Sequence, residues 1–146
     1  MSYDIRLTHP ATGETLMLDE PHQLIGGTYA LGGTRECWLN VTYNYSHIFR
    51  RIMGPDGIRM IYGKTGAESA PLLRAAAEVL ADDACENYWV ATEGNVKKAL
   101  LDLATLGRAT AARSLERGLA RRGKPIYTVG ANTRTEGRDD EYATST

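Results

Sequence analysis

Thr92-Glu93-Gly94-Asn95-Val96-Lys97-Lys98-Ala99-Leu100-Leu101-Asp102-Leu103-Ala104-Thr105-Leu106 is the stretch that decides the fold. Val96, Ala99, Leu100, Leu103 and Leu106 recur at i, i+3 and i+4, the period of a helix with one buried face. Thr92 stands where an N-cap belongs, because its hydroxyl can accept from an N–H that the first turn leaves unpaired. Gly107 is expected to end or weaken this helix, with the pattern resuming faintly at Ala109, Ala112, Leu115 and Leu119. Just upstream, Leu72, Leu73, Ala76, Val79 and Leu80 predict a second amphipathic helix. Thr65-Gly66-Ala67-Glu68 has the form of a capping box. A helix starting there would hold Pro71 deep enough to lose a hydrogen bond. Ser69 is therefore the expected N-cap, and Asp82-Asp83 the end, of a helix reaching Ala81.

The N-terminal half reads differently. Residues 4–8 alternate apolar and polar, and Thr15–Asp19 is a second short apolar run. Pro10-Ala11-Thr12-Gly13 between them supplies turn chemistry, so a hairpin is expected. Trp38-Leu39-Asn40-Val41-Thr42-Tyr43 is rich in aromatic and β-branched residues and predicts a strand. Leu39, Val41 and Tyr43 would share one face, with Trp38, Asn40 and Thr42 on the other. That second face is exposed, sealed by hydrogen bonds, or a binding surface. Ser46 is the expected cap of a short helix over His47–Met53, stopped by Gly54-Pro55-Asp56-Gly57. Ile58–Tyr62 reads as another short strand, and Ile126–Val129 as a late strand or arm. The doubled Gly-Gly-Thr of residues 26–34 lacks the phosphate-loop pattern and reads as two turns around a short strand. Strands first and helices after them predict an α+β domain, short antiparallel strands packed on helices. The expected organisation is a core over residues 1–106, a basic helical extension with a strand or arm over 107–131, and a disordered tail over 132–146.

Length and charge bound the function. The chain has 146 residues, 42% hydrophobic and 24% charged, with net charge −1. One domain of this size needs neither metal nor disulfide to fold. No apolar run approaches a membrane span, and no secretory signal pattern opens the sequence, so a cytoplasmic location is expected. Cys37 and Cys85 have no CxxC spacing, and Cys37 beside Trp38 reads as a buried thiol. No metal and no cofactor is expected. The charge is unevenly spread. Residues 71–96 hold one basic and five acidic groups, whereas 97–124 hold eight basic and two acidic, net +6. Lys97, Lys98, Arg113, Arg117, Arg121, Arg122 and Lys124 would contact phosphates if that segment bound nucleic acid. They would equally make a solvated face or pair with the acidic segment before them.

Motifs for catalysis are incomplete. His9, His22 and His47 are in no metal-binding spacing, and no nucleophile motif occurs. A small enzyme would need His47 and Glu68 to meet in space for acid–base chemistry. Asp82-Asp83 lacks the companion ligands of a calcium loop. Asn40-Val41-Thr42 and Asn44-Tyr45-Ser46 match the glycosylation pattern, which carries no weight without a secretion signal. The polar and aromatic run from Trp38 to His47 points instead to binding, since tyrosine and tryptophan bury large area with few rotatable bonds. Asn40, Tyr43, Asn44, Tyr45, His47, Arg50 and Arg51 are the expected working surface.

The strings GGTYALGGTRECWLNVTYNYS (26–46), IYGKTGAES (61–69) and YWVATEGNVKKAL (88–100) resemble small proteins encoded in bacteriophages and prophages, a group with no assigned activity. The resemblance covers residues 3–106. It implies a phage or mobile-element accessory factor in the host cytoplasm, binding or blocking a host or phage macromolecular complex, defence systems included. It brings no catalytic residue with it.

Overall fold

The computed structural model describes residues 2–22, 34–116 and 123–132. Five strands and three α-helices follow in order: β1 (Ser2–Thr8), β2 (Met17–His22), β3 (Thr34–Glu36), β4 (Trp38–Thr42), α1 (Ser46–Met53), α2 (Gly66–Glu78), α3 (Glu93–Glu116) and β5 (Ile126–Asn132). A 3₁₀ turn, Tyr43–Tyr45, leads into α1, and a 3₁₀ helix, Gly57–Ile61, follows it. This is an α+β fold. The main sheet is antiparallel with order β4-β1-β5, and β2 and β3 pair separately.

Register places the core. Ile5 lies opposite Leu39 on one side and Val129 on the other, and Tyr3 opposite Val41. Strand side chains alternate, so Tyr3, Ile5, Leu7, Leu39, Val41, Tyr127 and Val129 form one buried face. They share a single core with Phe49, Leu73, Leu100, Leu103 and Leu106 from the helices. Every residue assigned to the buried stripe of α3 is buried: Val96, Ala99, Leu100, Leu103 and Leu106.

Several expectations are corrected. The turn after β1 forms, with His9 N–H donating to Glu14 O and Leu16 N–H to Leu7 O, both at 2.9 Å. The strand beyond it then leaves β1 and pairs with β3. Cys37 sits at this branch, its carbonyl accepting from Leu7 and its N–H donating to Leu16 O. It is buried as expected, Cys85 is exposed, and no disulfide joins them. Ile58–Tyr62 is no strand. Ile58 and Ile61 are both buried, a three-residue spacing that suits the 3₁₀ helix. Helix α2 starts at Gly66 with the Thr65/Glu68 capping box complete, so Ser69 is inside the helix and is not its cap. Pro71 is tolerated because it and Ala67, whose carbonyl loses a partner, are both exposed to water. Leu72 and Val79 face outward, 38% and 69% exposed, while Ala70 and Ala77 take the buried positions.

The boundary expected at 106 falls inside α3, which continues to Glu116. Gly107 is a contact point. A Cβ at Gly66 would collide with the Gly107 backbone, and one at Gly107 would collide with the Tyr127 hydroxyl. The two glycines let α2 and α3 approach closely, and the Tyr127 hydroxyl donates to Leu103 O at 2.7 Å. Residues 126–132 are therefore part of the core sheet, and Asn132 ends β5 where a tail was expected to begin. The first Gly-Gly-Thr triplet, most of the second, and residues 133–146 lie outside the described residues.

Candidate functional site

Between α2 and α3, residues 79–92 have no helix or strand. Segments of this length without regular structure, with their ends held close, are Ω-like loops and are frequently functional. Hydrogen bonds between the loop and the first turn of α3 hold this one shut. The Ala81 N–H donates to Glu93 Oε1 at 2.9 Å, and the Gly94 N–H donates to Asp83 Oδ1 at 2.8 Å. Asn95 is 5% exposed. Its Oδ1 accepts from Cys85 N–H at 3.0 Å, and its Nδ2 donates to Val90 O at 2.8 Å and Asn87 O at 3.2 Å. Thr92 caps α3 as expected, accepting from the Asn95 N–H at 3.0 Å.

The other side of the loop is held by the run singled out from the sequence. Asn44 Nδ2 donates to Trp89 O at 2.7 Å, and the Tyr45 hydroxyl donates to Tyr88 O at 2.7 Å. Burial pushes the Tyr45 phenol well above its ordinary pKa, with Cys85 and Tyr88 adding smaller contributions, so it stays a donor at neutral pH. Arg51 pairs with Glu93 at 2.9 Å. Glu93 thus joins three elements: the loop, α1 and α3. Its carboxyl lies below the usual glutamate pKa, first through the Ala81 N–H and then through Arg51.

The seven expected surface residues divide. Asn40 is 5% exposed, its amide donating to Ser2 Oγ at 2.8 Å and Asp4 Oδ1 at 3.1 Å. Trp38 Nε1 donates to the same Asp4 oxygen at 2.9 Å. Hydrogen bonds therefore engage Trp38 and the Asn40 amide nitrogen on the second face of β4, while the buried Asn40 Oδ1 has no partner among the described residues. Tyr43 packs on Tyr3 with ring centroids 4.4 Å apart and planes tilted by 48°. Ser46, the expected cap of α1, shares a hydrogen bond with the Tyr3 hydroxyl at 2.7 Å; Thr42 caps the preceding 3₁₀ turn instead. Asn44 and Tyr45 position the loop. His47, Arg50 and Arg51 are exposed on α1. Asn40 and Asn44, the two glycosylation-pattern asparagines, both have their amides engaged in the fold.

His47 and Glu68 are not joined by a hydrogen bond or ion pair among the described residues. Glu68 accepts from the Thr65 N–H at 2.8 Å, which with the Thr65 hydroxyl contact lowers its pKa. In the basic segment, Lys97 pairs with Asp82 at 2.8 Å. A cleft of about 350 Å³ opens beside that pair, lined by Gly94, Lys98, Leu101 and Asp102 among others. Lys98 and Lys124 are exposed, and Arg113 lies on the last turns of α3. Arg117, Arg121 and Arg122 lie outside the described residues. No metal-binding group of three or more His, Cys, Asp or Glu occurs among the described residues, nor any helix long and apolar enough to cross a membrane.

Sequence reading missed Trp89, Glu93 and Asn95. The available signal was a long aperiodic stretch followed by a carboxylate, Glu93, and an amide, Asn95, at a helix start, where side chains can bond a preceding loop. In comparisons with known proteins, no family model, curated protein or solved structure matches the chain.

Proposed function

We propose that the chain is a non-catalytic binding protein, engaging a macromolecular partner through the surface that α1 and the 79–92 loop make together. The observation that carries this reading is the fixing of the loop. Asn44, Tyr45, Asn95 and Glu93 direct side-chain hydrogen bonds at its backbone. They order an exposed segment that holds half-exposed Tyr88 and Trp89 and exposed Val90. A preordered loop binds without the cost of ordering it, and Trp, Tyr and Arg are the side chains that most often anchor interfaces. The resemblance to phage-encoded proteins supports a host or phage complex as the partner and an accessory role for the chain.

The test is affinity capture from host lysate, with and without nuclease, using the wild-type chain and a His47→Ala/Arg50→Ala/Val90→Ser variant. A stoichiometric protein that survives nuclease and is lost with the variant is expected. Equal recovery by the variant, recovery that requires nucleic acid, or no recovery would refute the reading.

A further inference from the structure

The exposed positions of α1 are His47, Arg50 and Arg51, and no acidic residue occurs in the helix. Its remaining side chains are buried or half-buried. The outward face of α1 is therefore wholly basic, and it fits within about one helical turn, roughly 6 Å along the axis. The side chains of His47 and Arg50 have no hydrogen bond or ion pair among the described residues. Arg51 meets Glu93 through one nitrogen, yet its side chain is 57% exposed, leaving other guanidinium donors available.

The loop lies beside this face. Tyr88 and Trp89 are bonded to Tyr45 and Asn44, and Glu93 to Arg51, so residues 88–93 run along 44–51. Val90, 44% exposed, and half-exposed Trp89 are on that run. Arg51, held to Glu93, thus stands beside the run that carries Trp89 and Val90, with His47 and Arg50 exposed on the same helix.

We propose that this surface docks an acidic segment of a partner protein, with carboxylates on His47, Arg50 and Arg51 and an apolar side chain against Trp89 and Val90. The inference rests on the binding surface proposed above and adds the chemistry of its partner. Arg–carboxylate pairs form strong two-pronged bonds, and a further carboxylate one helical turn away can accept from a His47 ring N–H. Nucleic acid fits less well. Asp82, Asp83 and Glu86 are exposed on the same loop and would repel a continuous polyanion, whereas a short segment need meet only α1 and residues 89–90.

The test is selection of a displayed random dodecapeptide library on the full-length chain. Enriched peptides are expected to be acidic and to contain an aromatic or large aliphatic residue. The best of them, synthesised, should bind at least about tenfold more weakly to the His47→Glu/Arg50→Glu variant, as expected for lost charge complementarity, and more weakly as salt is raised. Both substitutions are at exposed positions, and an unchanged circular dichroism spectrum would establish that the variant is folded. Neutral or basic winners, absence of enrichment, or tight binding of a poly-dT oligonucleotide that the same variant abolishes would each overturn the proposal. A winner weakened by Val90→Ser but indifferent to His47→Glu/Arg50→Glu would overturn the acidic chemistry while leaving the surface in place. Indifference to both variants would remove the surface as well.

Discussion

Replacing Asn95 with alanine should release the 79–92 loop while leaving the helices folded. The Asn95 side chain makes three good bonds to loop backbone, with Cys85 N–H, Val90 O and Asn87 O, at 3.0, 2.8 and 3.2 Å. Its contact with Cys85 Sγ at 3.5 Å is weaker. A net contribution of about 1 kcal/mol per bond gives about 3 kcal/mol for holding the loop closed. Cys85, Asn87 and Val90 are exposed residues, so their backbone groups gain water once the loop opens, and the loss stays local. The cap at Thr92 uses the Asn95 backbone N–H, donating to the Thr92 hydroxyl, and survives. Native-state hydrogen exchange reads such local opening directly. At about 1.4 kcal/mol per decade, the Cys85 amide should exchange roughly a hundredfold faster in Asn95→Ala. Amides of Leu100 and Leu103 in the core of α3 should change far less. If the Cys85 amide exchanges within about threefold of wild type, less than 1 kcal/mol at that scale, Asn95 does not hold the loop. If Cys85 and Leu103 accelerate equally, the loop and helices open as one unit and the local account fails.

Three further outcomes follow from the same contacts. Gly66→Ala places a Cβ against the Gly107 backbone and should destabilise by about 1–3 kcal/mol as overpacking does; an unchanged denaturation midpoint would contradict the close helix approach. Tyr127→Phe removes the buried donor to Leu103 O and should cost about 1 kcal/mol in denaturant unfolding, with a native-like midpoint counting against that bond. Glu93 has a depressed folded pKa, so its stabilising effect is present above the ordinary glutamate value of 4.5 and is lost as pH falls through the lower folded value. Exchange of the Ala81 amide, corrected for its intrinsic pH dependence, should therefore accelerate on the acid side in wild type but stay flat in Glu93→Gln. Parallel profiles would remove Glu93 from the clamp.

How much of this was legible depended on how local each interaction is. Helix α3 could be read because a cap and an apolar stripe are encoded within a few residues of each other. The capping box of α2 was equally visible, but Pro71 argued against it. Only the exposure of Ala67 and Pro71 shows that water can serve the orphaned carbonyl. Ile58–Tyr62 is too short for period two and period three to be told apart from apolar content alone. The pairing of β1 with β5 joins segments more than a hundred residues apart, and no turn signal records it. The site was half visible for the same reason. Asn44 and Tyr45 stood out as polar and aromatic residues at a strand end. Their partners are backbone carbonyls over forty residues away, which side-chain patterns do not mark. Trp89 acquires its role only when the loop lies against Asn44, and Asn95 only when the loop folds back on the start of α3.

The central claim is that α1 and the loop act as one binding surface. The most direct measurement is hydrogen exchange across the whole chain, alone and in complex with the partner captured from lysate. The account predicts new protection concentrated in residues 44–53 and 85–93. Protection confined to the outer side of α2 around Leu72 and Val79, or to the later turns of α3, with residues 85–93 unchanged, would contradict it.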